Sequence, residues 1–72
     1  MAIPIKDRIE SDFTYHAPKE GQAERYEALR SQAKDLAIAI ADGTPSSREQ
    51  SLALTSLEEA VFWANAAIAR NE

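Results

Sequence analysis

The chain has no cysteine in its 72 residues. That removes disulfides and thiolate metal sites together, and it fits a reducing compartment such as cytoplasm. Histidine occurs once, as His16, so a histidine-rich zinc site cannot be built from it alone. Lysine and arginine are short as well, eight against twelve acidic residues, for a formal charge of −4. Proteins that hold DNA or RNA polymers rely on a broad basic field, and this chain lacks one. A small anion gripped by a few local cations stays compatible with that balance. No apolar run approaches the roughly 20 residues that span a bilayer. The opening Met1-Ala2-Ile3-Pro4-Ile5-Lys6 has no long apolar stretch, so no secretory signal is expected. Neither a membrane nor a nucleic-acid polymer is an expected partner.

Glycine occurs twice and proline three times, so the backbone has few breaks. They make one passage stand out: Phe13-Thr14-Tyr15-His16-Ala17-Pro18-Lys19-Glu20-Gly21. It holds two of the five aromatic residues and the only histidine, between segments that read as helix. Pro18 biases Ala17 away from helix, and Gly21 punctuates the far end. A connection of this composition is expected to have a fixed shape and to pack or bind something.

Three helices follow from the spacing of apolar residues. The first covers about residues 5–12, with Ile5, Ile9 and Phe13 on one face. The second runs from about 22 to 42 and is expected to end on Gly43 as its C-terminal glycine. Its seam is Tyr26, Leu29, Ala33, Leu36 and Ile40. The third covers about 46–70, opened by Ser46-Ser47-Arg48-Glu49 in capping-box form with Glu49 reaching back. Its seam, Leu54, Leu57, Val61, Ala64 and Ile68, has the same alternating steps of three and four. Two such seams joined by Gly43-Thr44-Pro45 predict an all-α, antiparallel helical hairpin carrying a short N-terminal helix, a single domain over 1–72.

The hairpin carries more apolar surface than one copy can hide. Ile38, Leu52, Phe62 and Trp63 fall beside or away from the seams, and Ala53, Ala60 and Ala67 form a heptad strip that admits another helix closely. Burying Phe62 and Trp63 between subunits would contribute about 1.5–3 kcal/mol each. A homo-oligomer is therefore expected; the alternative is that the N-terminal helix covers this surface by itself.

Arg30 and Lys34 stand four apart, so like charges neighbour one another on a helical face, which costs a few tenths of a kcal/mol. Tyr26 lies one turn earlier. Two cations beside a ring suit a nucleotide phosphate with a stacked base, and Arg30 can bind a phosphate in bidentate fashion. The competing reading pairs these cations with Glu58 or Glu59 across the seam. His16 invites an acid–base role, yet no nucleophile or metal set accompanies it, and hydrogen bonding or packing accounts for a lone loop histidine. Capping explains Ser46 and Ser47 more simply than an anion site beside Arg48. Trp63 reads as an interface or core residue. Asn65 and Arg70 could reach a ligand at a symmetry axis, against the plainer reading of a solvated helix end.

The order Phe13-Thr14-Tyr15-His16-x-Pro18, Gln22, Tyr26-Glu27-x-Leu29-Arg30 and Ala33-Lys34 continues in Ser47-Arg48-Glu49-Gln50-Ser51-Leu52-Ala53-Leu54-Thr55-x-Leu57-Glu58-Glu59-Ala60 and Trp63-Ala64-Asn65-Ala66-Ala67-Ile68-Ala69-Arg70. Over about residues 8–72 this resembles the phage anti-CBASS protein 2 family, where CBASS is the cyclic-oligonucleotide-based antiphage signalling system. The resemblance implies a non-enzymatic sponge, a helical hairpin assembled as a hexamer in the host bacterial cytoplasm. It implies cyclic dinucleotides bound between protomers and cyclic trinucleotides at separate sites of higher symmetry, with no cofactor. Tyr15 matches the base-stacking position, and Arg30 or Lys34 the cation for the phosphate, Arg30 being preferred. The expected ligand-binding set is Tyr15, His16, Pro18, Tyr26, Arg30 and Lys34, with Arg70 and Asn71 as candidates for the trinucleotide site. Two other classes stay open: a phosphodiesterase using His16, and an adaptor binding a host helix through Phe62 and Trp63.

Overall fold

A computed structural model describes residues 4–72. The expected absence of a signal segment rests in part on Met1–Ile3, which lie outside the described residues. The order is α1 (Ile5–Asp12), α2 (Gln22–Gly43) and α3 (Arg48–Asn71), with no strand among the described residues. The packed pair is α2 against α3, an antiparallel hairpin, while α1 and the loop after it sit at the end where α2 starts and α3 finishes. No helix among the described residues is long and apolar enough to cross a membrane.

The turn between the long helices departs from the sequence reading by one residue. Ser47, not Ser46, is the N-cap, and its Oγ accepts from the Gln50 N–H at 3.1 Å. The capping pair is thus Ser47 and Gln50. Glu49 does not reach back; Gln50 turns its amide across the connection and donates to the Ala41 and Thr44 carbonyls at 3.2 and 3.1 Å. Gly43 is the last helical residue, and extended Thr44 follows it, donating its hydroxyl to Ile40 O at 2.6 Å. Side chains thereby satisfy carbonyls that a left-handed glycine would otherwise serve.

The left-handed glycine is at the other end of α2. Gly21 has φ 82° and ψ −12°, the geometry that a type II turn needs at its third residue, and the Gln22 N–H closes the turn on Lys19 O at 3.1 Å.

Leu29, Ala33 and Ile40 of α2, and the whole predicted α3 seam, are half-buried between the helices. Leu36 is the exception at 51% exposed, and Ala37 takes its place in the seam. A straight helix drifts about 20° per heptad against a strict seven-residue repeat, which accounts for the shift. No hydrophobic side chain among the described residues is fully buried. Phe62 and Trp63 are 64% and 62% exposed, with Ile38 and Leu52 about half exposed. The helix α1 brings Ile5, Ile9 and Phe13 to one cleft with Trp63 but does not cover it, so the alternative in which α1 hides this surface is not what forms. The chain exposes 5992 Å², where a compact 7.9 kDa protein would expose roughly 4,400 Å².

Candidate functional site

The loop after α1 is pinned before it reaches α2. Thr14 donates its hydroxyl to the Glu10 carbonyl, and the His16 ring nitrogen Nε2 lies 2.7 Å from Ser11 O. A carbonyl oxygen only accepts, so Nε2 carries the proton and donates. His16 is therefore a hydrogen-bonding residue that folds the loop back on α1. Tyr15 between these anchors stays 83% exposed, its ring free to be covered.

The far end of the loop is tied by Gln22, the one buried residue among the described residues at 3% exposure. Its Oε1 accepts from the Lys19 N–H at 2.9 Å, and its Nε2 donates to Glu72 Oε1 at 3.3 Å. Arg25 meets the same Glu72 carboxylate with both guanidinium nitrogens, Nη1 to Oε2 at 2.9 Å and Nη2 to Oε1. Lys19 Nζ adds a bond to the Glu72 backbone oxygen. The bidentate bond from Arg25 holds the Glu72 carboxyl below the usual carboxylate range, and the same bond pushes Arg25 up.

These ties create a cleft of about 440 Å³ between the loop, the start of α2 and the end of α3. Tyr15, His16, Tyr26, Arg30 and Arg70, all expected from sequence, line it together with Asp12 and Asn65. Among the described residues no carboxylate lies within ion-pair distance of Arg30, so the competing reading that pairs it with Glu58 or Glu59 is not what forms; Glu59 instead accepts from Trp63 Nε1 at 3.4 Å. Arg70 is engaged, with Nη1 3.5 Å from Asp12 Oδ1.

A second cleft of about 530 Å³ opens along the hairpin, where Lys34 joins Arg30, Glu58, Phe62 and apolar seam residues. Arg30 and Asn65 line both clefts and so stand at their junction. The Asn65 Oδ1 is buried there without a hydrogen-bond partner. Three expected residues fall outside the Tyr15 cleft. Lys34 lines only the second cleft. Pro18 lines neither cleft and precedes the Lys19–Gln22 turn. Asn71 lines neither, and its Nδ2 donates to Ala67 O at 3.0 Å, one turn back on its own helix.

The sequence model of the family described as Acb2/Tad1, hairpin domain, matches residues 6–69. The chain belongs to that family. A search of curated proteins and a search of solved structures return no match. The matched span takes in α1, the aromatic loop, α2 and almost all of α3, so the Tyr15 cleft is built from Acb2/Tad1 hairpin residues apart from Arg70.

Sequence reasoning missed Lys19, Gln22, Arg25, Asp12 and Glu72. Only the step of four between Arg8 and Asp12, whose side chains meet at 3.5 Å, is a local signal. The bonds from Arg25 to Glu72 and from Arg70 to Asp12 join opposite ends of the chain, which no helical spacing announces.

Proposed function

We propose that this protein binds and sequesters cyclic dinucleotide and cyclic trinucleotide second messengers without cleaving them, and so keeps CBASS effectors in the host bacterial cytoplasm unstimulated. Membership of the Acb2/Tad1 hairpin family supports this reading. The observation that carries it is the cleft in which an exposed Tyr15 ring stands with Tyr26, Arg70 and an Arg30 that has no carboxylate partner among the described residues. An aromatic face takes a base, and a guanidinium takes a phosphodiester in bidentate fashion. The cations are local to the cleft, which reconciles anion binding with a formal charge of −4.

The ligand is held between copies of the chain. A cyclic dinucleotide presents two phosphodiesters and two base faces, which two symmetry-related clefts would match. The exposed Ile38, Leu52, Phe62 and Trp63 offer apolar surface for contacts between copies, and a closed ring such as a hexamer needs two contact faces per protomer.

Native mass spectrometry with a panel of cyclic di- and trinucleotides tests this, reading subunit and ligand counts together. Ligand recovered intact from a homo-oligomer is expected. Absence of uptake would overturn the sponge, and recovery of linear product would replace it with a phosphodiesterase. The exposed Phe62 and Trp63 favour one other reading, an adaptor that docks a host helix on that face. Capture of a host protein, with no response to any cyclic nucleotide, would favour it.

A further inference from the structure

The two arginines of the Tyr15 cleft are in different states, and Asp12 makes the difference. Arg30 has no carboxylate partner among the described residues, whereas Arg70 Nη1 lies 3.5 Å from Asp12 Oδ1. The other oxygen, Asp12 Oδ2, is 3.5 Å from Arg8 Nε. The Asp12 side chain is 25% exposed, at the end of α1 and on the wall of the same cleft.

We propose that Asp12 sets the affinity of the cleft by standing in for a ligand phosphate on Arg70. This rests on reading the cleft as a cyclic-nucleotide site. A distance of 3.5 Å is long beside the roughly 2.7–2.9 Å of a strong charge-assisted hydrogen bond, so the pair is loose enough to exchange. A phosphodiester oxygen that reaches Arg70 closely replaces the carboxylate, and Asp12 then remains paired with Arg8. The competition reduces apparent affinity by the fraction of Arg70 that is free. The cost is the same for every anion that displaces Asp12, so a ligand that needs Arg70 binds less tightly and one that meets Arg30 alone is unaffected.

Wild type, Asp12→Asn, Arg70→Ala and the double variant are titrated by calorimetry with cyclic di-AMP, cyclic di-GMP and cyclic GMP–AMP. Asp12→Asn should bind the cyclic dinucleotides about threefold to fivefold more tightly, the scale of a partly exposed ion pair. That gain should vanish in the Arg70→Ala background, because Asp12 acts through Arg70. A gain that persists there, or no gain for a variant of unchanged helicity and mass, overturns the proposal. In wild type, where folding is not in question, adding the cyclic dinucleotides should move the Asp12 carboxylate carbon resonance; a resonance that stays put during saturable binding also overturns it. Failure of wild type to bind any of the cyclic dinucleotides would instead bring down the reading of the cleft itself.

Discussion

Arg25 grips both carboxylate oxygens of Glu72 from 47 residues away, and the contact fastens the end of α3 to the start of α2. Gln22 and Lys19 join the same carboxylate and backbone, so the latch also holds the turn where the aromatic loop ends. Tyr15 on the loop and Arg70 on α3 reach one cleft because these ends are held together.

The latch should respond to pH with a definite sign. Glu72 is held below its ordinary value near 4.5, chiefly by the Arg25 hydrogen bonds. A depressed carboxyl stabilises the fold above the unfolded value and loses that contribution as pH falls through the folded one. Thermal melts of wild type and Glu72→Gln should differ at pH 7 and converge in acid. Equal melts at pH 7 would show that the exposed pair contributes nothing measurable.

Gln22→Ala should cost about 1–3 kcal/mol in chemical denaturation, since it strips a buried residue of its hydrogen bonds and leaves the Lys19 N–H unserved. The loss should spread to the loop, read as faster amide exchange around Lys19.

Arg30→Ala should weaken cyclic-dinucleotide binding by about 1.5–3 kcal/mol, the scale of a hydrogen bond to a charged group. Lys34→Ala should cost less, because Lys34 lines only the neighbouring cleft. Calorimetry with both variants separates the two cations. A larger loss at Lys34 would move the phosphate into that second cleft.

Tyr15→Ala should leave helicity and mass unchanged, as expected of a ring so exposed. Each lost stacking contact should cost about 1–3 kcal/mol per base. Size exclusion beside calorimetry on one sample distinguishes this from a structural role, which would break the assembly as well.

The pair Phe62→Ala and Trp63→Ala should shift the protein towards smaller species in light scattering, since both rings are left uncovered by the chain's own helices. A mass that does not change would place the contact elsewhere, with Ile38 and Leu52 as the next exposed apolar residues to replace.

Most of the fold was written in local periodicity, which is why the three helices and the exposure of Ile38, Leu52, Phe62 and Trp63 were legible. Caps were less so. Ser46 and Ser47 offer the same chemistry one residue apart, and the choice of Ser47 goes with Gln50 reaching the Ala41 and Thr44 carbonyls across the turn. In the cleft, Tyr26 and Arg30 could be named from residue type and spacing, and Tyr15 from the family resemblance. Asp12 and Glu72 could not, because their partners are set by where the finished hairpin brings its two ends.

The Gln50 side chain bonds to residues six and nine positions back, whereas the Glu72 carboxylate bonds to residues 47 and 50 positions back. Closing a short loop sacrifices less chain entropy than closing a long one, and local contacts form sooner. The bend between α2 and α3 should therefore set early in folding, and the corner carrying Tyr15, Arg30 and Arg70 should set last. In the finished protein the order should reverse, with the corner the first part to open. Local opening there would leave a chain almost fully helical by circular dichroism and yet blind to its ligand.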